Sequence, residues 1–150
     1  MIYCGPAKDP ICQNPPPPAC LSWIAVSQGL YLAKVLGAEV TALYVIDQTS
    51  FVSFPIDSSI VSVYSLLENE GKRAVEEVKK DGDELGVKVT TVVAEGSPTR
   101  KIVEMAADMD LVVLGTLGRS ALSKLFMGSV AERVTRYAPC PVLVVRSKKR

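Results

Sequence analysis

Apolar residues recur along much of the chain at spacings that name their secondary structure. Val26, Leu30, Ala33 and Gly37 fall at intervals of four, three and four, which predicts a helix from about Ala19 to Leu36 closed by Gly37. Glu39 to Ile46 is rich in branched and aromatic residues and reads as a strand ending at Asp47. Residues 48 to 60 show no period and read as an excursion over the strand edge. A long helix is expected from about Ser59 to Leu85, with Val63, Leu67, Ala74, Val78 and Leu85 on its inner face. Its other face carries Glu68, Glu70, Lys72, Arg73, Glu76, Glu77, Lys79 and Lys80, a solvated surface with charge pairs at i, i+4; Gly82 weakens the helix and Gly86 stops it. Val87 to Ala94 is the next strand. Ser97 as N-cap and Pro98 at the first helical position open a short helix that buries Ile102, Val103 and Ala106. Strand 110–114, a glycine-rich loop, helix 129–138 and strand 141–146 complete the order. Strand and helix therefore alternate, which predicts an open, doubly wound parallel α/β sheet with helices on both faces.

The loop in the last third is where chemistry is concentrated. It reads GTLGRSALSKLFMGS from Gly115 to Ser129, with glycines at 115, 118 and 128. Glycine lets backbone N–H groups approach a ligand with no side chain between them. The helix that follows points unpaired N–H groups and the positive end of its dipole at the same place. In an open parallel sheet, ligands bind beyond the carboxyl ends of the strands, and this loop leaves such an end. A phosphate-binding loop is one reading. The other is structural: Gly115 ends a strand, Gly118 makes a turn, and Gly128-Ser129 caps a helix. The spacing matches neither a Walker loop nor GxGxxG, so glycines alone leave the two readings even.

Composition narrows the function classes. The 150 residues suffice for one domain with a single buried core. A formal net charge of +1 supplies no field for nucleic acid, so no nucleic-acid partner is expected. No apolar run approaches the ~20 residues of a membrane span, and the first residues lack the features of a signal peptide, so the expected location is the cytoplasm. Histidine is absent, which removes Ser-His-Asp and Cys-His catalysis and imidazole zinc sites. Cys4, Cys12 and Cys20 recur every eight residues without a C-x-x-C pair; a structural or redox role is the weaker reading. Cys140 reads as a small buried hydrophobe. Residues 1–18 hold six of the ten prolines, including Pro15 to Pro18, a run that cannot lie in a central strand.

Gly115-Thr116-Leu117-Gly118, nine residues, then Gly128-Ser129, followed by Val130 to Val134 and by Ala138-Pro139-Cys140-Pro141-Val142 to Val145, closely resembles the universal stress protein family. The resemblance covers roughly residues 21–147. In that family G-x-x-G, nine residues, G-S/T marks the members that bind ATP. It implies a five-stranded, Rossmann-like sheet of the adenine nucleotide alpha hydrolase kind. It also implies a central first strand followed by a loop aspartate at the adenine. Counting back from Leu36-Gly37-Ala38 puts that aspartate near Pro17, where there is none. Asp9 is the alternative, with Met1 to Cys4 a very short strand and a loop several residues longer. Loss of one such partner costs ~1–3 kcal/mol, a roughly ten- to hundredfold weaker site.

The resemblance makes ATP, with or without magnesium, the expected ligand. Gly115, Gly118, Gly128 and Ser129 would supply donors to the triphosphate, and Thr116, Arg119 and Ser120 could reach phosphate or ribose oxygens. Leu114, Val45 and Val130 would line the base, Val45 through its backbone. For Arg119 a solvent-facing role is equally open, and for the Val45 side chain a core role is favoured. The loop holds no carboxylate to bind magnesium or activate water and no P-loop lysine, so fast ATP turnover is not expected; slow hydrolysis, or self-phosphorylation at Ser129 or Ser120, is the family's weaker suggestion. Similar proteins pair their last strands, so a homodimer through Val142 to Val145 is expected. Two function classes follow: an ATP-responsive stress or signalling module, and a nucleotide-free dimeric scaffold of the same fold.

Overall fold

A computed structural model describes residues 2–47, 58–116 and 127–146 apart from 6–20, with side chains from residue 23 and, in the second segment, from residue 64. The elements are β1 (Ile2–Gly5), α1 (Leu21–Leu36), β2 (Val40–Ile46), α2 (Ser58–Leu85), β3 (Val89–Glu95), α3 (Pro98–Ala106), β4 (Val112–Gly115), α4 (Ser129–Tyr137) and β5 (Val142–Val145). All strand pairs are parallel, in the order β3-β2-β1-β4-β5. The expected doubly wound sheet is therefore present, with its winding reversed between β1 and β4. The first strand is Ile2–Gly5, the short alternative, and it sits at the centre of the sheet. Asp9, the aspartate that accompanies this placement, and all the prolines of residues 1–18 lie outside the described residues.

Side chains alternate across the strands and build two cores. Val40, Ala42, Tyr44 and Ile46 pack with Ala25, Val26, Leu30 and Ala33 of α1 and with Leu67, Val75 and Val78 of α2. On the opposite face Leu43, Val45, Val112 and Leu114 pack with Ile102 and Ala106 of α3 and Ala131 and Val134 of α4. Such two-faced burial explains why these strands are almost continuously apolar.

Glycine ends both long helices for a stated reason. Gly37 (φ 64°) and Gly86 (φ 73°) take the left-handed conformation that a side chain resists. The amide after each turns back to the last helical turn, Ala38 N–H to the Ala33 carbonyl at 2.9 Å and Val87 N–H to the Gly82 carbonyl at 2.8 Å. One expectation needs correction. Leu85 is 38% exposed, because the helix ends just there and Gly86 turns the chain away from the core. Ser97 occupies the N-cap of α3 ahead of Pro98, yet its side chain makes no capping bond. Most of the charged face of α2 is exposed as expected, with Glu68 and Glu77 half-buried and Lys72 and Glu68 2.7 Å apart. Cys140 is half-buried against the second core. No helix among the described residues is long and apolar enough to cross a membrane.

Candidate functional site

The carboxyl ends of all five strands lie along one edge of the sheet, and β4 delivers Gly115 and Thr116 to it. Thr116 commits both of its main-chain groups. Its N–H donates to the Val145 carbonyl at 3.0 Å, and its carbonyl accepts from Gly128 N–H at 2.8 Å. The second bond joins the two ends of the segment between them, so Gly115-Thr116 and Gly128-Ser129 are neighbours. Gly118, Arg119 and Ser120 lie within that segment, outside the described residues.

Gly128 is the N-cap of α4, with φ −61° and ψ 148°, a conformation open to any residue. The backbone angles therefore give no reason for glycine here. What glycine leaves is a helix start with no capping side chain. Glu132 N–H donates to the Gly128 carbonyl at 2.9 Å, the first bond of the helix. Among the described residues, nothing accepts from the amides of Ser129, Val130 and Ala131. An uncapped helix start of this kind, with the helix dipole behind it, has the chemistry to meet an anion. The first-turn acid, Glu132, is engaged by Arg136 at 3.3 Å.

The residues singled out by sequence are thus placed as follows. Ser129 is exposed, Gly115, Gly128 and Val130 are half-buried, and Thr116 is 6% exposed. One assigned role changes: the Gly128 amide is spent on Thr116, which leaves the three amides that follow it without an acceptor among the described residues. Thr116 is the one buried polar residue among those described, and its main chain holds the site together. Leu114 and Val45 are each 3% exposed, their side chains in the second core, which leaves only main-chain groups to meet a ligand. Register through β1 sets both Leu43 and Leu114 opposite Cys4, and so brings Val45 level with Thr116 two strands away. Two strand spacings are roughly 10 Å. A ligand lying across the end of β1 would meet both.

Among the described residues, no group of three or more acidic or cysteine side chains is placed to hold a metal ion.

A model of the universal stress protein family matches residues 21–146. The chain belongs to the universal stress protein family. Universal stress protein MJ0531 of Methanocaldococcus jannaschii is 44% identical over 128 residues, 84% of this chain and 75% of its own. The solved structure of MJ0577 from the same organism superposes with a TM-score of 0.78 at 26% identity, covering 99% of this chain and 96% of that one. A universal stress protein family protein of Arabidopsis thaliana, solved with AMP bound, shares the fold at a TM-score of 0.67 and 16% identity, covering 98% of this chain and 90% of that one. The proline-rich residues 1–18 lie before the matched residues.

Proposed function

We propose that this universal stress protein binds ATP, with or without magnesium, across the carboxyl edge of its sheet, and that occupancy alters a surface read by protein partners. The observation that carries the reading is the Thr116–Gly128 hydrogen bond, which sets an uncapped helix start beside the end of β4. Amides of Ser129, Val130 and Ala131 and the Ser129 hydroxyl would hold phosphate oxygens, with Gly118, Arg119 and Ser120 contributing from the loop. Main-chain groups of Val45 and Leu114 would meet the base. The AMP-bound plant relative supports an adenine nucleotide as the ligand class. ATP supplies the charge of its phosphates to this site, and the protein orients it. On this reading the protein acts by binding, in the cytoplasm, with turnover at most slow.

We further place a second copy of the chain against β5. That strand is the outer edge of the sheet, and Leu143 on it is 36% exposed. The scaffold reading keeps this dimer and drops the nucleotide. Isothermal titration of purified protein with ATP separates the two: saturable binding is expected, and no heat at millimolar ATP would remove the nucleotide reading.

A further inference from the structure

We infer that Asp47 is the specificity-determining residue of the base site, its carboxylate selecting a purine with an amino group at C6 over a 6-oxopurine; this rests on the ATP reading above. The residue follows β2 and is half-buried at the carboxyl edge of the sheet.

Hydrogen bonding fixes which way this end of β2 faces. Val40 N–H donates to the Lys88 carbonyl at 2.9 Å, and the Ile46 carbonyl accepts from Gly96 N–H at 3.0 Å. The even-numbered residues of β2 therefore turn their main chain to β3, and alternation turns that of Val45 the other way, toward β1. β1 stops at Gly5, opposite Tyr44, so the Val45 carbonyl points past its end, into the path of a ligand lying across the sheet edge.

Side chains give the other half of the geometry. Leu43 and Val45 pack into the core beneath α3 and α4, and Tyr44 and Ile46 into the other. Asp47 therefore falls on the α3 and α4 side, the side of the helix start proposed to hold the phosphates. Glu95, the last residue of β3, faces the opposite way and accepts from the Tyr64 hydroxyl of α2. Gly96 follows Glu95 and so lies beside Asp47. It has no side chain, and among the described residues a Cβ there would meet only Lys101 Cε, at 3.8 Å. Of the two acids at the ends of β2 and β3, Asp47 is thus the one on the nucleotide's side, with open space beside it.

The selection follows from what a carboxylate can do. An ionised Asp only accepts, and it has acceptor sites for more than one donor. Adenine carries an amino group at C6 with two N–H donors. A purine whose edge rests on the Val45 main chain puts one of them at the Val45 carbonyl. Asp47, two residues or roughly 7 Å further along the strand, is within reach of the other. A 6-oxopurine sets a carbonyl oxygen there instead, acceptor against acceptor, and leaves both unsatisfied. The group that holds adenine therefore also rejects guanine and hypoxanthine nucleotides.

The test is titration of the full chain with ATP and, separately, ITP, whose base is the 6-oxo counterpart of adenine. The proteins are the parent, Asp47→Asn and Asp47→Ala, each checked by circular dichroism and melting. The parent should prefer ATP by at least about tenfold, as for a hydrogen bond to a charged group. Asp47→Asn keeps the shape but can donate from its amide. It should weaken ATP by roughly three- to tenfold, strengthen ITP, and remove or reverse the preference. Asp47→Ala should narrow the preference too, by relieving the repulsion without supplying a donor. The Val45 main chain is common to all three proteins, so a change in the ratio belongs to Asp47. A ratio within about twofold of the parent's in both variants would overturn the role of Asp47 and leave the nucleotide site standing, whether ATP and ITP affinities hold or fall together. A parent that binds ATP and ITP equally would overturn it as well. A parent that binds neither would remove the nucleotide reading and this inference with it.

Discussion

Gly71 sits mid-way along α2, where glycine costs helix stability, and the reason for it is the ring beneath. A methyl group placed there would lie 2.6 Å from Tyr44 Cδ1, 2.9 Å from Cε1 and 3.1 Å from Cγ. Carbon atoms in contact prefer ≈ 3.5–4.0 Å, so Gly71→Ala demands a displacement of about 1 Å. Tyr44 is 4% exposed, and Leu67 and Val75, four residues to either side of Gly71 on α2, are 6% and 5% exposed, so neither the ring nor the helix has room to give. Alanine recovers about 1 kcal/mol of helix propensity, while overpacking a closed core costs about 1–3 kcal/mol. Lifting α2 from β2 adds lost contacts along both neighbouring turns, so we expect a net loss of about 1–2 kcal/mol. For a chain of this length that is a melting point lower by roughly 2–8 °C. Urea unfolding should show a lower midpoint at unchanged slope. Tyr44→Leu in the G71A background removes the clash, so a double-mutant cycle should return a favourable coupling of about 1 kcal/mol. Tyr44 also precedes Val45, so the single variant should bind ATP more weakly at temperatures where it is fully folded. If Gly71→Ala proves as stable as the parent, the close approach of helix to ring is not what fixes glycine here.

Gly128→Val should fold, since its backbone angles suit any residue, but it sets a branched side chain at the start of α4; ATP affinity should drop at least about tenfold with stability changed by no more than about 1 kcal/mol. Asp81 has its pKa raised from 3.8, by burial first and then by Glu84 and Glu77. A carboxyl raised in the folded state favours folding below pH 3.8, and that contribution is lost as pH rises through its folded pKa. Asp81→Asn should therefore stabilise the protein at pH 7 by about a few tenths of a kcal/mol, half-buried as the group is, and show no gain near pH 3 in parallel melts. Leu143→Glu places a charge on the open edge of β5 and should convert a dimer to monomer in sedimentation at tens of micromolar, with far-UV circular dichroism unchanged.

Most of the fold was legible because its elements carry their own signals. The stripes of α1 and α2 and the glycines that close them are local properties, and the structure places these ends within a residue or two of where periodicity puts them. β1 was not legible in the same way. It spans only Ile2–Gly5, and a strand held between β2 and β4 draws its pairing from neighbours far along the chain. Nor does a helical stripe say where a core ends, which is how Leu85 came to be counted inside it. The ends of the glycine loop could be read from residue type, because glycine before a helix advertises free amides. Which amides are free could not. That the Gly128 N–H is spent on Thr116 is a pairing across the intervening segment, set by tertiary structure alone.

That pairing also bears on how binding could be felt elsewhere. Thr116 is tied to Gly128 through its carbonyl and to Val145 through its amide, so one buried residue joins the helix start to the end of the outer strand. A ligand held by the first turn of α4 pulls on the same peptide units that fix the register of β5. If the ligand prefers even a slightly different placement of that turn, the least costly responses are to move α4 over α3 or to shift the end of β5, because the inner strands β1 and β2 are paired on both sides. Both responses alter surfaces at one side of the sheet and leave the other untouched. A nucleotide-dependent partner should therefore be sought near β5 and the exposed end of α4, where Tyr137 is 61% exposed, and not near β3.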